Sequence, residues 1–195
     1  TIVKSLVDKS IFEEYYLVKD RVAFEKEENS QFTLSNAQQD AFESIKTNLN
    51  EFDVNLLHGV TASGKTEIYI KLLEEYVQAE NQVLCLLPEI ARTTQLVQRL
   101  TAYFGNEVAV FHSKYTNNER IEVWNQVLEN SSKAKVVIGV RSALFLPFSN
   151  LGCIIVDEEH EQTYKQTDPA PRYHARDAAI VLAKHHKAKV LLGSA

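Results

Sequence analysis

The chain has 195 residues, of which 45% are hydrophobic and 24% are charged, and its net charge is −5 at pH 7. This composition suits a globular domain with a sizeable core, and it excludes a disordered, collagen-like or low-complexity protein. Because the overall charge is negative, a nucleic-acid site would have to be a local patch, and the best candidate is residues 161–189, with six Lys or Arg against three Asp or Glu.

Residues 1–31 differ in pattern from the rest of the chain. A β-rich stretch, residues 11–22, precedes a polar run at residues 25–31, and we expect a small hairpin and a linker there. No apolar run reaches the roughly 20 residues that span a bilayer, and the first residues lack the layout of a signal peptide. We therefore expect a soluble, cytoplasmic protein without a membrane partner.

From Thr33 onward, short β-branched and leucine-rich runs alternate with longer amphipathic segments. Strands are predicted near residues 54–57, 83–87, 108–111, 136–139, 153–156 and 190–192. Helices are predicted near residues 36–48, 65–79, 93–104, 117–130 and 174–186. This alternation predicts an α/β fold in which a parallel sheet carries helices on both faces and binds ligands at the carboxyl ends of its strands.

The loop after the first of these strands matches the P-loop pattern G-x-x-x-x-G-K-[ST]. Its backbone is expected to surround the phosphates of ATP, and the following helix presents its positive end there. Lys65 is expected to reach the β- and γ-phosphates, and Thr66 to ligate Mg²⁺. The predicted nucleotide-binding residues are Gly59, Val60, Thr61, Ala62, Ser63, Gly64, Lys65 and Thr66.

An apolar strand also runs directly into the acidic sequence Asp157-Glu158-Glu159-His160. We expect Asp157, at the strand end, to hold Mg²⁺ and Glu158 to polarise the water that attacks the γ-phosphate. A solvated loop is the alternative interpretation of these carboxylates. Lys65, Asp157 and Glu158 are thus the predicted catalytic residues.

A P-loop followed by Asp-Glu-Glu-His resembles the D-E-x-H helicases of superfamily two. The resemblance narrows to the replication-restart, or primosomal, DNA helicases, whose characteristic strings occur here in order. They are Leu87-Pro88-Glu89-Ile90-Ala91, Phe111-His112-Ser113, Glu119-Arg120 with Trp124, Gly139-Val140-Arg141-Ser142-Ala143-Leu144-Phe145 and Tyr173-His174-Ala175-Arg176-Asp177. One departure is Ala62, where many relatives have glycine.

This resemblance implies that residues 32–195 are the first RecA-like lobe of an ATP-dependent 3′ to 5′ helicase that restarts stalled forks and initiates primosome assembly. Residues 1–31 would end a preceding winged-helix-like domain and form a linker. A second lobe would follow, so the fragment alone is expected to be weakly active or inactive. The implied cofactors are ATP and Mg²⁺, whereas zinc would belong to the parent protein and not to this chain, where Cys85 and Cys153 lie in predicted strands.

Residues 161–177, here called the aromatic segment, mix aromatic and basic side chains between strand and helix. Rings stack on bases and cations pair with phosphates, so the segment suits single-stranded DNA, and the resemblance implies that it couples DNA contact to hydrolysis. The alternative is a surface loop whose aromatics cover the sheet edge. The predicted DNA-binding or coupling residues are Pro88, Glu89, Arg141, Ser142, His160, Tyr164, Lys165, Arg172, Tyr173, His174 and Arg176.

Gln38 has two interpretations. The resemblance implies a Q motif in which its amide recognises adenine, whereas Ser35 and Gln38 also form a capping box, as do Thr116 and Glu119. Trp124 is expected to be a packing residue.

The implied partners are single-stranded or forked DNA and, for the parent, primosome and single-strand-binding proteins. Two other functions stay open: another DExH translocase, including one that acts on RNA, or a nucleotide-dependent binding module without turnover.

Overall fold

The structure is a computed structural model that describes residues 32–60, 63–89, 94–112 and 115–195. The hairpin and linker predicted over residues 1–31 lie outside these ranges, and so do Thr61 and Ala62 of the P-loop.

Helices and strands alternate from residue 36 to residue 139 as the sequence predicts, whereas four strands follow one another between residues 136 and 174, two of them short strands that the sequence did not predict. The helices are α1 (Asn36–Glu51), α2 (Lys65–Gln78), α3 (Thr94–Phe104), α4 (Asn117–Leu128) and α5 (Ala175–His186). The strands are β1 (Val54–His58), β2 (Gln82–Leu86), β3 (Val108–Phe111), β4 (Val136–Gly139), β5 (Leu151–Val156), β6 (Lys165–Gln166), β7 (Tyr173–His174) and β8 (Lys189–Ser194). Short 3-10 turns include Arg141–Phe145 and Gln162–Tyr164.

Six of the strands form one parallel sheet in the order β1-β8-β5-β2-β4-β3. Successive side chains of a strand point to opposite faces, so Val83 and Cys85 pack on the face covered by α1, α2 and α3. Leu84 and Leu86 pack on the other face, which α4 and α5 cover. The predicted α/β architecture is therefore confirmed.

The strand order brings three functional loops to one edge of the sheet. β8 pairs with β1 on one side and with β5 on the other, so one strand separates the P-loop from the acidic motif. β2 pairs with the far side of β5. The carboxyl ends of β1, β8, β5 and β2 consequently lie side by side.

Both predicted capping boxes are confirmed. Ser35 accepts a hydrogen bond from the backbone N–H of Gln38 at the start of α1, and Thr116 does the same for Glu119 at the start of α4. Each cap satisfies N–H groups that a helix start otherwise leaves unpaired.

Trp124, expected to be a packing residue, is 44% exposed and lies outside the buried core. Val123 and Val127 face the sheet from α4 and are fully buried. Trp124 lies instead on an outward stripe of that helix with Ile121 and Leu128, at the i, i+3 and i+7 spacing that places residues on one face.

In the part of the chain that the structure describes, every helix is too short or too polar to cross a membrane.

Candidate functional site

The P-loop lies between the end of β1 and the start of α2. Gly64 has a φ of 86°, in the left-handed region that glycine enters without strain, and a Cβ there would overlap the side-chain amide of Gln38. The N–H of Gly59 donates to the carbonyl of Ser194 at 3.0 Å and ties the loop to the end of β8. Since α2 begins at Lys65, the positive end of its backbone dipole faces the loop.

Lys65 connects the P-loop to the acidic motif across β8. Its Nζ donates to the carbonyl oxygen of Gly59 at 2.6 Å and lies 3.6 Å from Oε1 of Glu158. The Lys65 side chain is 10% exposed and that of Glu158 is 27% exposed, so both charges are partly shielded from water. Two predicted catalytic residues from distant parts of the sequence are thus brought together.

Asp157 follows directly after β5 and is buried, with 9% of its surface exposed. Its backbone N–H donates to the carbonyl of Leu86, and its Oδ1 accepts a hydrogen bond of 2.9 Å from the hydroxyl of Tyr69. Burial raises the pKa of the Asp157 carboxyl above its ordinary value, while the hydrogen bond from Tyr69 and the charge of Lys65 act in the opposite direction.

The oxygen donors at this edge fit Mg²⁺. This ion takes oxygen ligands, commonly one or two carboxylates together with substrate phosphates and water. The Asp157 carboxylate has about four acceptor positions, so its hydrogen bonds from the Tyr69 hydroxyl and the Glu158 backbone leave capacity for a cation. Thr66, the other predicted ligand, is half-buried in the first turn of α2. No group of three or more His, Cys, Asp or Glu in the described ranges is placed to hold a metal ion.

Glu158 and His160 join the acidic motif to the end of β8. Glu158 has a φ of 48°, an uncommon backbone conformation for a residue with a side chain, and one that is often retained at functional sites. Nε2 of His160 lies 3.7 Å from Oε2 of Glu158, and its Nδ1 lies 3.1 Å from Oγ of Ser194. His160 therefore contacts both the predicted catalytic carboxylate and β8.

Gln38 caps α1 and also contacts the P-loop. Its Oε1 accepts from the N–H of Ser35 at 2.8 Å, and its Nε2 donates to the carbonyl of Gly64 at 3.3 Å. The capping interpretation is confirmed, and the amide lies against the phosphate loop at the same time.

The aromatic segment leaves the acidic motif through a 3-10 turn and forms a small antiparallel hairpin between β6 and β7. Lys165, Thr167 and Arg172 are exposed, whereas Tyr173 and His174 are half-buried. The Arg172 guanidinium donates to the carbonyl of Thr167, so it is held within the loop.

The turn after β4 packs against this hairpin. The guanidinium of Arg141 donates to the carbonyl of Lys165 at 2.8 Å, and the ring of Phe145 meets that of Tyr173 edge-on at 5.5 Å. Ser142 beside them is exposed. After β2, Pro88 is half-buried and Glu89 is exposed. The predicted contacts from β4 and from the aromatic segment are therefore neighbours in space.

Tyr164 requires a correction, because its ring is 0% exposed and in this conformation offers no face to DNA. Its hydroxyl lies 2.6 Å from the carbonyl oxygen of Asp157 and 2.9 Å from that of Leu86. A buried phenol needs such a partner. Tyr164 therefore fastens the start of the aromatic segment to the ends of β2 and β5.

Arg176 is engaged in ion pairs. Its guanidinium contacts Glu159 and Asp177, each at 2.9 Å, and the contact with Glu159 attaches the start of α5 to the acidic motif. A phosphate would have to compete with both carboxylates for this side chain.

Sequence reasoning missed Tyr69 and the end of β8. Tyr69 lies four residues after Lys65 on α2, and residues at this spacing share one helix face, which is a signal that could have identified it. Ser194 contributes a hydroxyl near His160 and a carbonyl to the P-loop, yet it carries no recognisable pattern of its own.

Comparisons with known proteins found relatives that match most of the chain. A family model described as DEAD/DEAH box helicase matches residues 35–195. The chain is 41% identical to the replication restart protein PriA of Bacillus subtilis over 99% of its length, and 49% identical to that of Haemophilus influenzae over 85%. It spans only 24% and 22% of the lengths of those two relatives.

Solved structures show the same fold. RecG bound to a three-way DNA junction aligns with a TM-score of 0.62 and 23% identity, over 84% of this chain and 21% of that one. The UvsW protein of T4 aligns with a TM-score of 0.60 and 16% identity, over 99% of this chain and 39% of that one.

Proposed function

Because the chain belongs to the DEAD/DEAH box helicase family, we propose that it is the ATP-binding first lobe of a DNA helicase that restarts stalled replication forks. The observation that carries the proposal is the 3.6 Å approach of Lys65 Nζ to Glu158 Oε1. This contact joins a phosphate-binding loop to a carboxylate suited to polarise water. The replication restart names of the relatives support the biological role.

The proposed chemistry assigns a separate task to each side chain. The backbone of the P-loop and Lys65 bind the β- and γ-phosphates, for which Lys65 exchanges its contact with the Gly59 carbonyl. Glu158 orients the attacking water and accepts its proton. Thr66 and Asp157 would hold Mg²⁺, which neutralises charge developing on the phosphates when bound. Gln38, which contacts the P-loop, is the proposed adenine-recognising residue.

We further propose that single-stranded or forked DNA crosses the edge of the sheet that carries the aromatic segment. The exposed side chains of Lys165 and Arg172 and the half-buried ring of Tyr173 support a contact with phosphates and bases. Ser142 and Glu89 lie after neighbouring strands. His160, between Glu158 and β8, is the proposed coupling residue. Pro88, Arg141, His174 and Arg176 complete the proposed surface, with Tyr164 acting from beneath it.

The wider assignments follow from the same proposal. Residues 32–195 would form the first lobe, and residues 1–31 would end a winged-helix-like domain. Movement would run 3′ to 5′, in the cytoplasm, with primosome and single-strand-binding proteins as partners. Zinc would belong to other parts of the parent.

Hydrolysis by this chain alone is expected to be feeble. In motors of the kind that the sequence resembles, a second lobe supplies an arginine finger, and such an arginine contributes about 10³ to 10⁵ in rate. The full-length protein is therefore the right material for a test.

The decisive experiment is the Mg²⁺-dependent ATPase rate of the full-length protein with and without forked or single-stranded DNA. We expect strong stimulation by DNA and a loss of about 10²-fold or more in the Lys65→Ala variant, since Lys65 acts on the developing phosphate charge. Lys184→Ala is the matched control, because Lys184 is an exposed lysine in the last turn of α5.

Each contrary result has a distinct meaning. An ATPase rate in Lys65→Ala equal to that of the wild-type protein would contradict the proposed ATP-driven motor function. Tight ATP binding without stimulation by any nucleic acid would favour a binding module, and stimulation by RNA alone would favour a different translocase.

A further inference from the structure

Asp157 is held at two points by buried tyrosines. The Tyr69 hydroxyl donates to the carboxylate at Oδ1, and the Tyr164 hydroxyl lies within hydrogen-bond distance of the Asp157 backbone carbonyl. Tyr69 is 1% exposed and Tyr164 is 0% exposed. Tyr164 therefore fixes the backbone at this point, while Tyr69 contacts the group that carries the charge.

We propose that Tyr69 is a positioning residue whose hydroxyl sets the orientation of the Asp157 carboxylate for divalent-cation binding. The inference rests on the proposed function, in which Asp157 holds Mg²⁺. It adds a residue that lies outside both the P-loop pattern and the acidic motif.

The need for such a residue follows from the aspartate side chain. The last torsion of aspartate is broad, so its two oxygens have no strong intrinsic orientation. A metal site, in contrast, depends on ligands whose direction is fixed by further hydrogen bonds. At Asp157 the 2.9 Å hydrogen bond from a nearly fully buried phenol provides that constraint.

The surroundings of the hydroxyl restrict where it can point. Gly193 of β8 lies directly against it, and a Cβ at that position would overlap the Tyr69 hydroxyl. The same Cβ would lie 3.3 Å from Oδ1 of Asp157. Three elements, α2, β5 and β8, thus meet at one hydrogen bond, and the absence of a side chain at Gly193 makes space for it.

Tyr69 also lies on the correct face of α2. It lies four positions after Lys65, so the Lys65 ammonium and the Tyr69 hydroxyl project from successive turns of one helix. A shift of α2 would move both groups together.

The test is the Tyr69→Phe variant of the full-length protein, which removes the hydroxyl and keeps the ring. Manganese serves as the probe, and its binding in the presence of ADP is measured by electron paramagnetic resonance. We expect Mn²⁺ affinity to fall about 10-fold or more, in the range found when partners of metal ligands are removed. The affinity for ADP measured in EDTA should stay within about twofold of the unchanged protein, because the P-loop does not depend on this hydroxyl.

The Mg²⁺ dependence of the ATPase gives a second readout. In Tyr69→Phe the Mg²⁺ concentration for half-maximal rate should rise by the same factor, and much of the maximal rate should return at saturating Mg²⁺. Tyr76→Phe is the matched control, since it removes a hydroxyl from the far end of the same helix and should leave Mn²⁺ affinity unchanged.

The outcomes separate this inference from the proposed function. If the wild-type protein bound no Mn²⁺ in the presence of nucleotide, the proposed function itself would be contradicted. Normal binding by the unchanged protein and equal binding by Tyr69→Phe would overturn only the positioning role. A Tyr69→Phe protein that unfolds, or that loses ADP binding in EDTA to the same extent as Mn²⁺ binding, would also overturn it, because the hydroxyl would then serve the fold as a whole.

Discussion

The acidic motif at the end of β5 and the aromatic segment that follows it are adjacent in sequence, yet their side chains are held in different ways. Asp157 is buried, and hydrogen bonds join it to β2 and α2. In the aromatic segment, Arg172 and Gln166 bond to carbonyls of their own loop, and residues 167–172 are exposed.

This difference separates the acidic motif, whose Asp157 is fixed by buried hydrogen bonds, from the aromatic segment, whose exposed residues are held only by local hydrogen bonds. Groups fixed by buried hydrogen bonds need little rearrangement to act on a bound phosphate. Exposed groups held by local hydrogen bonds can exchange those partners for a ligand at low cost, because water already competes for them. Tyr164 is the junction between the two parts.

The largest effect is expected from Glu158→Gln in the full-length protein. The amide cannot accept the proton of the attacking water, so the ATPase rate at saturating nucleotide should fall by about 10² to 10⁴. ATP affinity should change little, since the P-loop is intact. Glu129→Gln, an exposed residue beyond α4, is the matched control. An ATPase rate of Glu158→Gln within threefold of the wild-type rate would mean that the acidic motif does not supply the catalytic base.

The exposed part is tested by changing Lys165 and Arg172 together to alanine. If both contact phosphates, the slope of log affinity for single-stranded DNA against log salt should become shallower by about 0.7 per residue. The ATPase rate without DNA should not change. Lys184→Ala provides the comparison on α5, and a double variant with an unaltered salt slope would remove these side chains from the DNA path.

The junction is tested by Tyr164→Phe, which removes one hydroxyl and leaves two buried carbonyls with less hydrogen bonding. We expect a loss of about 1 kcal/mol in the free energy of unfolding, which corresponds to a fall of about 2–4 °C in Tm for a domain of this size. Stimulation of hydrolysis by DNA should fall more than the basal rate does. Equal losses in the two rates would make Tyr164 a purely structural residue.

A smaller effect concerns the pH dependence of folding. Because burial raises the pKa of Asp157 in the folded state, the native protein binds this proton more tightly than the unfolded chain does. The protonated Asp157 carboxyl therefore stabilises the folded state at pH values below its ordinary pKa of 3.8. This contribution to the free energy of unfolding is lost as the pH rises through the raised pKa of the folded state.

Asp157→Asn removes that loss, so we expect the variant to gain stability relative to the unchanged protein as pH rises through this interval. Urea unfolding at a series of pH values measures the difference, with Asp40→Asn on the surface of α1 as the control. If the stability advantage of Asp157→Asn over the wild-type protein became smaller with rising pH, the raised pKa of the Asp157 carboxyl would be contradicted.

Sequence reasoning located the five helices from their amphipathic spacing and the six strands of the parallel sheet from their short apolar runs, but it did not find the two-residue strands β6 and β7, which show neither signal. In β2, Val83 and Cys85 pack on one face of the sheet, and Leu84 and Leu86 pack on the other. Because both faces are buried, the strand appears in the sequence as a continuous apolar run between turn signals, and that run was sufficient to identify it. The P-loop and acidic motif were found since their chemistry demands particular residues in a fixed order.

Contacts between distant elements escaped the same reasoning. Nothing in the local pattern distinguishes Tyr164, which is buried, from Tyr173, which is half-buried, although both lie in one aromatic segment. Trp124 was expected to be a packing residue, yet Val123 and Val127 are the residues that α4 buries against the sheet. The positive φ of Glu158 likewise follows from the path of the chain between β5 and its neighbours, and not from the residue itself.

The position of β8 between β1 and β5 has a consequence for synthesis. The two strands that carry the phosphate loop and the acidic motif are translated well before the strand that pairs with both of them. Among the described residues β1 pairs only with β8, so until residues 189–194 leave the ribosome this pairing and the hydrogen bond from the Gly59 N–H to the Ser194 carbonyl cannot form. The loop after β1 therefore gains its tie to the rest of the sheet late in synthesis, after most of the core residues have been made.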